Sequence, residues 1–244
     1  MPEGPSIIIL KEAVSIFKNK KVLHANGNAK IDFKKINNKT INDFKSWGKH
    51  TLICFDGFFI RIHLLMFGTY RVNEKKDAKP KLHLAFKKGE LNFYTCSVQL
   101  IEKNVDEVYD WSADIMNDKW DEKKAVKKLK EIPDTLICDA LLDQDIFSGL
   151  GNIMKNEVLF RTRIHPKSEV GKLPLKKRRE LLKEVVQYAF DFLKWKKAGV
   201  LKKHWLAYSK KICPRCNIPL QKEYLGKGKR STFFCDNCQE LYGS

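Results

Sequence analysis

Two short cysteine pairs constrain this chain more than any other feature. "CPRC" sets Cys213 and Cys216 one tight turn apart, "CDNC" does the same for Cys235 and Cys238, and eighteen residues lie between the pairs. This C-x2-C…C-x2-C pattern is the spacing of a tetrahedral zinc site, with each pair gripping the metal from one turn. Four thiolates close the coordination sphere and leave no place for water or substrate, so such a zinc ion is structural. The segment between the pairs, "NIPLQKEYLGKGKRSTFF", reads as a β-hairpin with Gly226 and Gly228 near its tip. Lys227, Lys229 and Arg230 stand at that tip, and a rigid hairpin tipped with cations suits phosphate. A redox dithiol is the alternative, but it does not call for four cysteines at this spacing. Cys54, Cys96 and Cys138 are scattered in apolar surroundings and are expected to be buried thiols.

The charge pattern points the same way as the hairpin tip. The formal net charge is +18, from 47 Lys and Arg against 29 Asp and Glu. Such an excess favours a polyanionic partner, above all nucleic acid. A lysine-rich genome would scatter the excess, whereas here it is segregated. Leu193 to Arg230 carries twelve Lys or Arg and one acid, Glu223, while Asn104 to Glu122 carries seven acids and one Lys. No apolar run approaches the roughly 18 residues that a membrane span needs. The early "IIIL" is followed at once by Lys11 and Glu12, which is not a signal pattern. The expectation is a cytoplasmic protein with no membrane partner.

Along its 244 residues the chain reads as one large or two small domains. Pro5 to Lys20 predicts a helix, with Ile9, Ala13, Ile16 and Phe17 at helical spacing and Pro5 suited to a first helical position. From Val22 to Glu102 the pattern turns to short strands. "TLICFDGFFIRIHL" has Asp56-Gly57 between two β-prone runs, and "LHLAFKKGELNFYT" repeats the idea around Lys88-Gly89, as in a β-sandwich or barrel. The acidic stretch reads as a connection to a second, helical part. Helices are expected at 123–130, 136–142, 152–160 and about 174–197, the last with Leu181, Leu182, Val185, Ala189 and Phe192 on one face. Between two of them, Ser148-Gly149-Leu150-Gly151 makes a tight turn before Asn152. A helix start behind glycines offers free N–H groups to phosphate, and Asn152 can add a side-chain donor; an ordinary Asn cap fits the local sequence equally well.

These pieces together resemble the formamidopyrimidine-DNA glycosylase and endonuclease VIII family of base-excision repair, nearer its endonuclease VIII branch. The resemblance rests on "PEGP" at Pro2, "WGKHTL" around Lys49, "HLLMFG" at His63, "LLDQDIFSGLGNIMKNEVLFRTRIHP" in the middle and "RSTFFCDNCQ" at the end. It implies an α+β multidomain fold: an N-terminal β-sandwich with a leading helix (1–110), a helical helix-two-turns-helix domain (111–205) and a C-terminal four-cysteine zinc-finger β-hairpin (206–244).

The resemblance implies a bifunctional glycosylase and abasic-site lyase acting, as a monomer, on double-stranded DNA with oxidised bases or abasic sites. Removal of Met1 would leave Pro2 with a free secondary amine. An α-amino group has a reference pKa of about 7.7–8.0, so a useful share is neutral near pH 7. Pro2 would form a Schiff base at C1′, Glu3 would move protons, Lys49 would serve β-elimination, and Arg230 would grip phosphates and assist δ-elimination. Asn152 would hold phosphate, and one structural Zn2+ would sit on Cys213, Cys216, Cys235 and Cys238. The flipped base leaves a gap, and Leu65-Met66-Phe67 are candidates to fill it, a buried core triplet being the alternative reading. The sequence departs from the pattern at Ser6, where a glutamate is common, and at Leu65, where a glutamine is. Val98 and Leu100 stand where the guanine-specific branch has an arginine and a phenylalanine, and the link into the cysteine segment is short. Val98 and Leu100 look closer to the endonuclease VIII branch, and the short link, without the loop that covers a flipped 8-oxoguanine in the guanine-specific branch, implies a preference for oxidised pyrimidines, with ring-opened purines left open as substrates. The rival reading is a non-catalytic protein of the same fold that binds damaged DNA or junctions.

Overall fold

The computed structural model describes residues 2–243 and divides the chain into two compact units, Met1–Asp110 and Trp111–Ser244. The first unit opens with α1 (Gly4–Val14), which has a proline in its first turn where a missing N–H costs nothing. Ile7, Leu10 and Val14 follow at helical spacing and are wholly buried. The helix stops short of the expected Lys20. A 3-10 turn at Ser15–Phe17 ends it, and Asn19 turns the chain at a φ of 62°. The tighter winding swings Phe17 inward to stack on Phe86 at 4.2 Å, while Ile16 is left exposed.

Eight strands follow: β1 (His24–Asn26), β2 (Asp43–Trp47), β3 (His50–Cys54), β4 (Phe59–His63), β5 (Thr69–Val72), β6 (Leu82–Ala85), β7 (Glu90–Tyr94) and β8 (Ser97–Ile101). They form two antiparallel four-stranded sheets, ordered β2-β3-β4-β8 and β1-β6-β7-β5. Gly57 and Gly89 turn the two predicted hairpins at φ of 78° and 92°, a region that favours glycine. One core joins α1 to both sheets through Ile7, Leu10, Ile53, Ile62, Leu84 and Phe93. Cys54 and Cys96 are buried as expected, and burial pushes their thiols up to about 11 and about 12. A short α2 (Val105–Val108) lies in the acidic stretch, capped by the Asn104 side chain.

The second unit carries α3 (Glu122–Lys130), α4 (Ile137–Ala140), α5 (Asn152–Arg161), α6 (Leu175–Lys197) and the antiparallel hairpin β9 (Gln221–Leu225) with β10 (Arg230–Phe234). The Asp121 carboxylate caps α3 by accepting from the N–H groups of Lys123 and Lys124. Helix α4 is one turn, shorter than the predicted 136–142. After it the Asp143 and Gln144 side chains bond to the backbone of Asp145 and Gly149, and the chain becomes a turn. Leu129, Ile137, Phe147, Met154, Val158, Leu181 and Val185 fill the core of this unit. No helix among the described residues is long and apolar enough to cross a membrane.

Candidate active site and nucleic-acid interface

In the first unit the predicted site residues occupy three places. Glu3 is the N-cap residue of α1, extended at φ −121° and ψ 173°, and its carbonyl accepts the Ser6 N–H at 2.8 Å. Its side chain has no solvent exposure, so a carboxylate is held in a low-dielectric place beside half-buried Pro2. Charge in such a place is strongly felt by whatever binds next to it. Met1, whose removal the resemblance implies, lies outside the described residues.

Lys49 forms, with Gly48, the two-residue turn joining β2 to β3, where Trp47 pairs with His50 and Gly48 has a φ of 51°. Under this turn lies an aromatic group that the sequence reading missed. The Trp47 ring meets Tyr109 at 4.9 Å, and its Nε1 donates to the Asp110 carbonyl at 2.9 Å. His50 Nδ1 is 3.2 Å from the Tyr109 hydroxyl, and its ring meets His63 edge-on at 5.3 Å. Burial, with the charges of His63, Arg61 and Lys49, pulls His50 down to about 3. His63 is lowered too, by burial first and then by Lys49 and Arg61. Both imidazoles are thus kept neutral next to the Lys49 turn.

Leu65, Met66 and Phe67 lie between β4 and β5. They are 48%, 52% and 76% exposed, so the alternative of a buried triplet does not hold. The loop is tight. The Gly68 N–H donates to the Leu64 carbonyl at 2.7 Å, and a Cβ on Gly68 would collide with that oxygen. Leu65 sits at a φ of 54°, an unfavourable region for a bulky side chain. Three apolar side chains are held in solvent by a strained turn. Val98 and Leu100 are half-buried on β8, packed against the sandwich core.

In the second unit Asn152 is the first residue of α5 rather than its cap; Gly151 holds the cap position and supplies no side chain. The Asn152 amide donates to the Ser231 carbonyl at 2.9 Å, and its Oδ1 is buried without a partner. Asn152 and Arg230 are therefore brought together, since Ser231 adjoins Arg230 at the start of β10. The rest of α5 extends this docking. Lys155 Nζ, fully buried, donates to Thr232 Oγ1 at 2.8 Å, and Asn156 Oδ1 accepts the Phe233 N–H at 2.6 Å. Glu157, also fully buried, accepts the backbone N–H groups of Leu206, Ala207 and Tyr208. Sequence reasoning missed all three. The available signal was "NIMKNE", a helix start with polar groups on every side, which a surface helix facing a core does not have.

The cysteine quartet is assembled. The four sulfur atoms all lie within 4.8 Å of one another, and it is the cluster among the described residues that can hold a metal ion. Cys213 Sγ and Cys238 Sγ are 3.7 Å apart; zinc–sulfur bonds of about 2.3 Å at tetrahedral angles require about 3.8 Å. Cys213 is drawn down to about 7: burial opposes its ionisation, but the N–H groups of Arg215 and Cys216 and the neighbouring thiols outweigh it. Phe160, Ala207, Leu220 and Phe233 pack under the sulfurs as a small apolar core.

A β-sandwich with a leading helix, a helical region entered through glycines and a four-thiol hairpin docked on it define the class: the fold of the formamidopyrimidine-DNA glycosylases. Residues 1–96 match the formamidopyrimidine-DNA glycosylase N-terminal domain, and residues 112–201 match the formamidopyrimidine-DNA glycosylase H2TH domain. The chain belongs to this family. Relatives include endonuclease 8-like 2 of Bos taurus, 36% identical over 74% of this chain and 58% of the relative. Endonuclease 8-like 3 of Mus musculus is 31% identical over 79% of this chain and 33% of the relative. The chain thus spans between a third and three-fifths of the length of these relatives. Among solved structures, Lactococcus lactis formamidopyrimidine DNA glycosylase bound to AP-site-containing DNA superposes with a TM-score of 0.85 at 24% identity, over 98% of this chain and 99% of that one. A viral DNA glycosylase superposes equally well at 21% identity, over 98% of this chain and all of that one. At these identities the likeness is one of fold.

Proposed function

We propose that the protein is a base-excision DNA glycosylase with abasic-site lyase activity, acting on duplexes that carry oxidised bases, pyrimidines above all. The observation that carries the reading is the Glu3 carboxylate, fully buried at the start of α1 and adjacent to Pro2. A fully buried acid is costly to keep, and next to an amine it can serve proton transfer.

With Met1 removed, the Pro2 nitrogen attacks C1′ of the lesion nucleotide, the C1′–N bond to the base breaks, and Glu3 passes protons as the sugar opens. The product is an iminium joining Pro2 to C1′. Loss of a C2′ proton then expels the 3′ phosphate, with Lys49 handling the proton, and Arg230 assists expulsion of the 5′ phosphate. Asn152 opens α5, whose N–H groups have no side-chain cap and hold backbone phosphate, while its own side chain is tied to Ser231. Leu65, Met66 and Phe67 enter the space that the flipped base leaves. Their exposure supports this, since apolar wedges must be free to insert. Cys213, Cys216, Cys235 and Cys238 hold one structural zinc ion; when bound it fixes the hairpin that carries Arg230 and takes no part in bond breaking.

Borohydride reduction on abasic duplex tests the reading. The processed chain is expected to give a covalent protein–DNA adduct that Pro2→Gly weakens and Glu3→Gln spares. No adduct from the native protein with its methionine removed would leave the rival, a non-catalytic binder.

A further inference from the structure

The tip of the cysteine hairpin is not free. Both oxygens of the Asp139 carboxylate, on α4, accept the backbone N–H of Lys227, at 3.1 and 3.0 Å. Neighbouring Gly226, at a φ of 74°, is where the approach is closest. A Cβ there would collide with Asp139 Oδ1 and lie 2.6 Å from its Cγ. The Lys229 N–H then closes the turn on the Gly226 carbonyl at 3.1 Å, and Arg230 opens β10 opposite Leu225.

We infer that Asp139 is a positioning residue: its carboxylate fastens the hairpin tip to α4 and thereby sets where Lys227, Lys229 and Arg230 meet the phosphates. The inference rests on the proposed reading for what those cations do. Zinc anchors the hairpin at its base, through Cys213, Cys216, Cys235 and Cys238, but a two-stranded ribbon is only marginally stable by itself. The far end needs a second fixed point. Asp139 and the Asn152–Ser231 bond supply it from the two helices that flank the glycine turn, so Arg230 is held from both sides. The carboxylate also suits its place chemically. It is an acceptor that satisfies the tip's backbone donor while leaving the three cationic side chains outward.

Asp139 and Gly226 form a pair that can be tested as such. Gly226→Ala collides with the carboxylate, and Asp139→Ala removes the collision while the strain of a positive φ stays the same in both backgrounds. The two substitutions should therefore be strongly non-additive. On abasic duplex, Asp139→Ala is expected to slow the second elimination by about tenfold or more, since a misplacement of about 1 Å can cost up to about a hundredfold. Borohydride trapping and zinc content should stay near wild type, and Asp139→Asn, which keeps one acceptor oxygen, should restore most of the loss. Amide hydrogen exchange at Lys227 should quicken in Asp139→Ala. A wild-type ratio of β- to δ-product in Asp139→Ala, or additivity of the pair, overturns the inference. If the native protein forms no adduct at all, the proposed function fails instead, and the exchange measurement still decides: an unchanged Lys227 amide overturns the clamp.

Discussion

The Glu157 carboxylate, without solvent exposure on α5, accepts the backbone N–H of Ala207 at 2.9 Å. The same group takes Tyr208 N–H at 2.8 Å and Leu206 N–H at 2.9 Å, so three successive amides of the segment leading to Cys213 converge on one anion. Arg161 approaches from the next turn at 4.0 Å. Hydrogen bonds to a buried charge are among the stronger ones. Glu157→Gln replaces part of the acceptor with an NH2 that faces other donors, and is expected to lower stability by about 3 kcal/mol. Urea unfolding with metal bound measures it, and a loss below about 0.5 kcal/mol would count against the convergence being energetic.

Acid should destabilise the first unit through His50. Its folded pKa of about 3 lies below the ordinary 6.5. Between those values the unfolded chain binds a proton that the folded chain excludes. Stability is therefore complete above pH 6.5 and falls as the pH drops toward 3, at up to about 1.4 kcal/mol per pH unit. His63, also lowered by burial, acts with the same sign in this unit, and His165 does so in the second. His50→Gln should flatten the slope of urea stability between about pH 6 and about pH 4, and an unchanged slope would exclude His50 as its source.

The parts of this protein written in local chemistry were legible in the sequence. Cysteine spacing, the Gly57 and Gly89 turns and the apolar face of α6 each follow from neighbours in the chain, and each is where the sequence placed it. What was not legible depends on contacts far apart in sequence. Asp139 meets Lys227 across 88 residues, and Glu157 meets Ala207 across 50. Nothing in the local sequence of His50 points to Tyr109, which meets it across 59 residues. Local pattern also overran α1, because the burial of Phe17 against Phe86, not helix propensity, ends that helix.

Leu65 should trade stability for function. At a φ of 54° with its side chain half in solvent, leucine carries strain that asparagine tolerates better. Leu65→Asn is expected to raise stability by about 0.5 kcal/mol and to weaken binding to duplex containing an abasic analogue. Phe67→Ala, at a site 76% exposed, should move stability by less than about 0.5 kcal/mol while binding falls. Thermal unfolding paired with anisotropy titrations separates the two effects; a large stability loss in Phe67→Ala would mean that the triplet is packed after all.

Metal removal and salt together report what the hairpin does. Each phosphate neutralised releases counterions and contributes about 0.9 to the slope of log affinity against log salt. Lys227, Lys229 and Arg230 are all exposed at the tip, and a metal ion on the four sulfurs would hold them from the hairpin base. Extracting the metal, or changing Cys238 to Ser, removes that base while the sandwich keeps its own core. The slope should then flatten by up to about 2.7, three contacts' worth, with affinity falling most at low salt. Substituting the three cations singly should each flatten it by about 0.9 without loss of zinc. Anisotropy titrations from low to moderate salt measure both. If the slope is steep but indifferent to metal removal, the phosphates are held by other cations and the hairpin's charge serves something else.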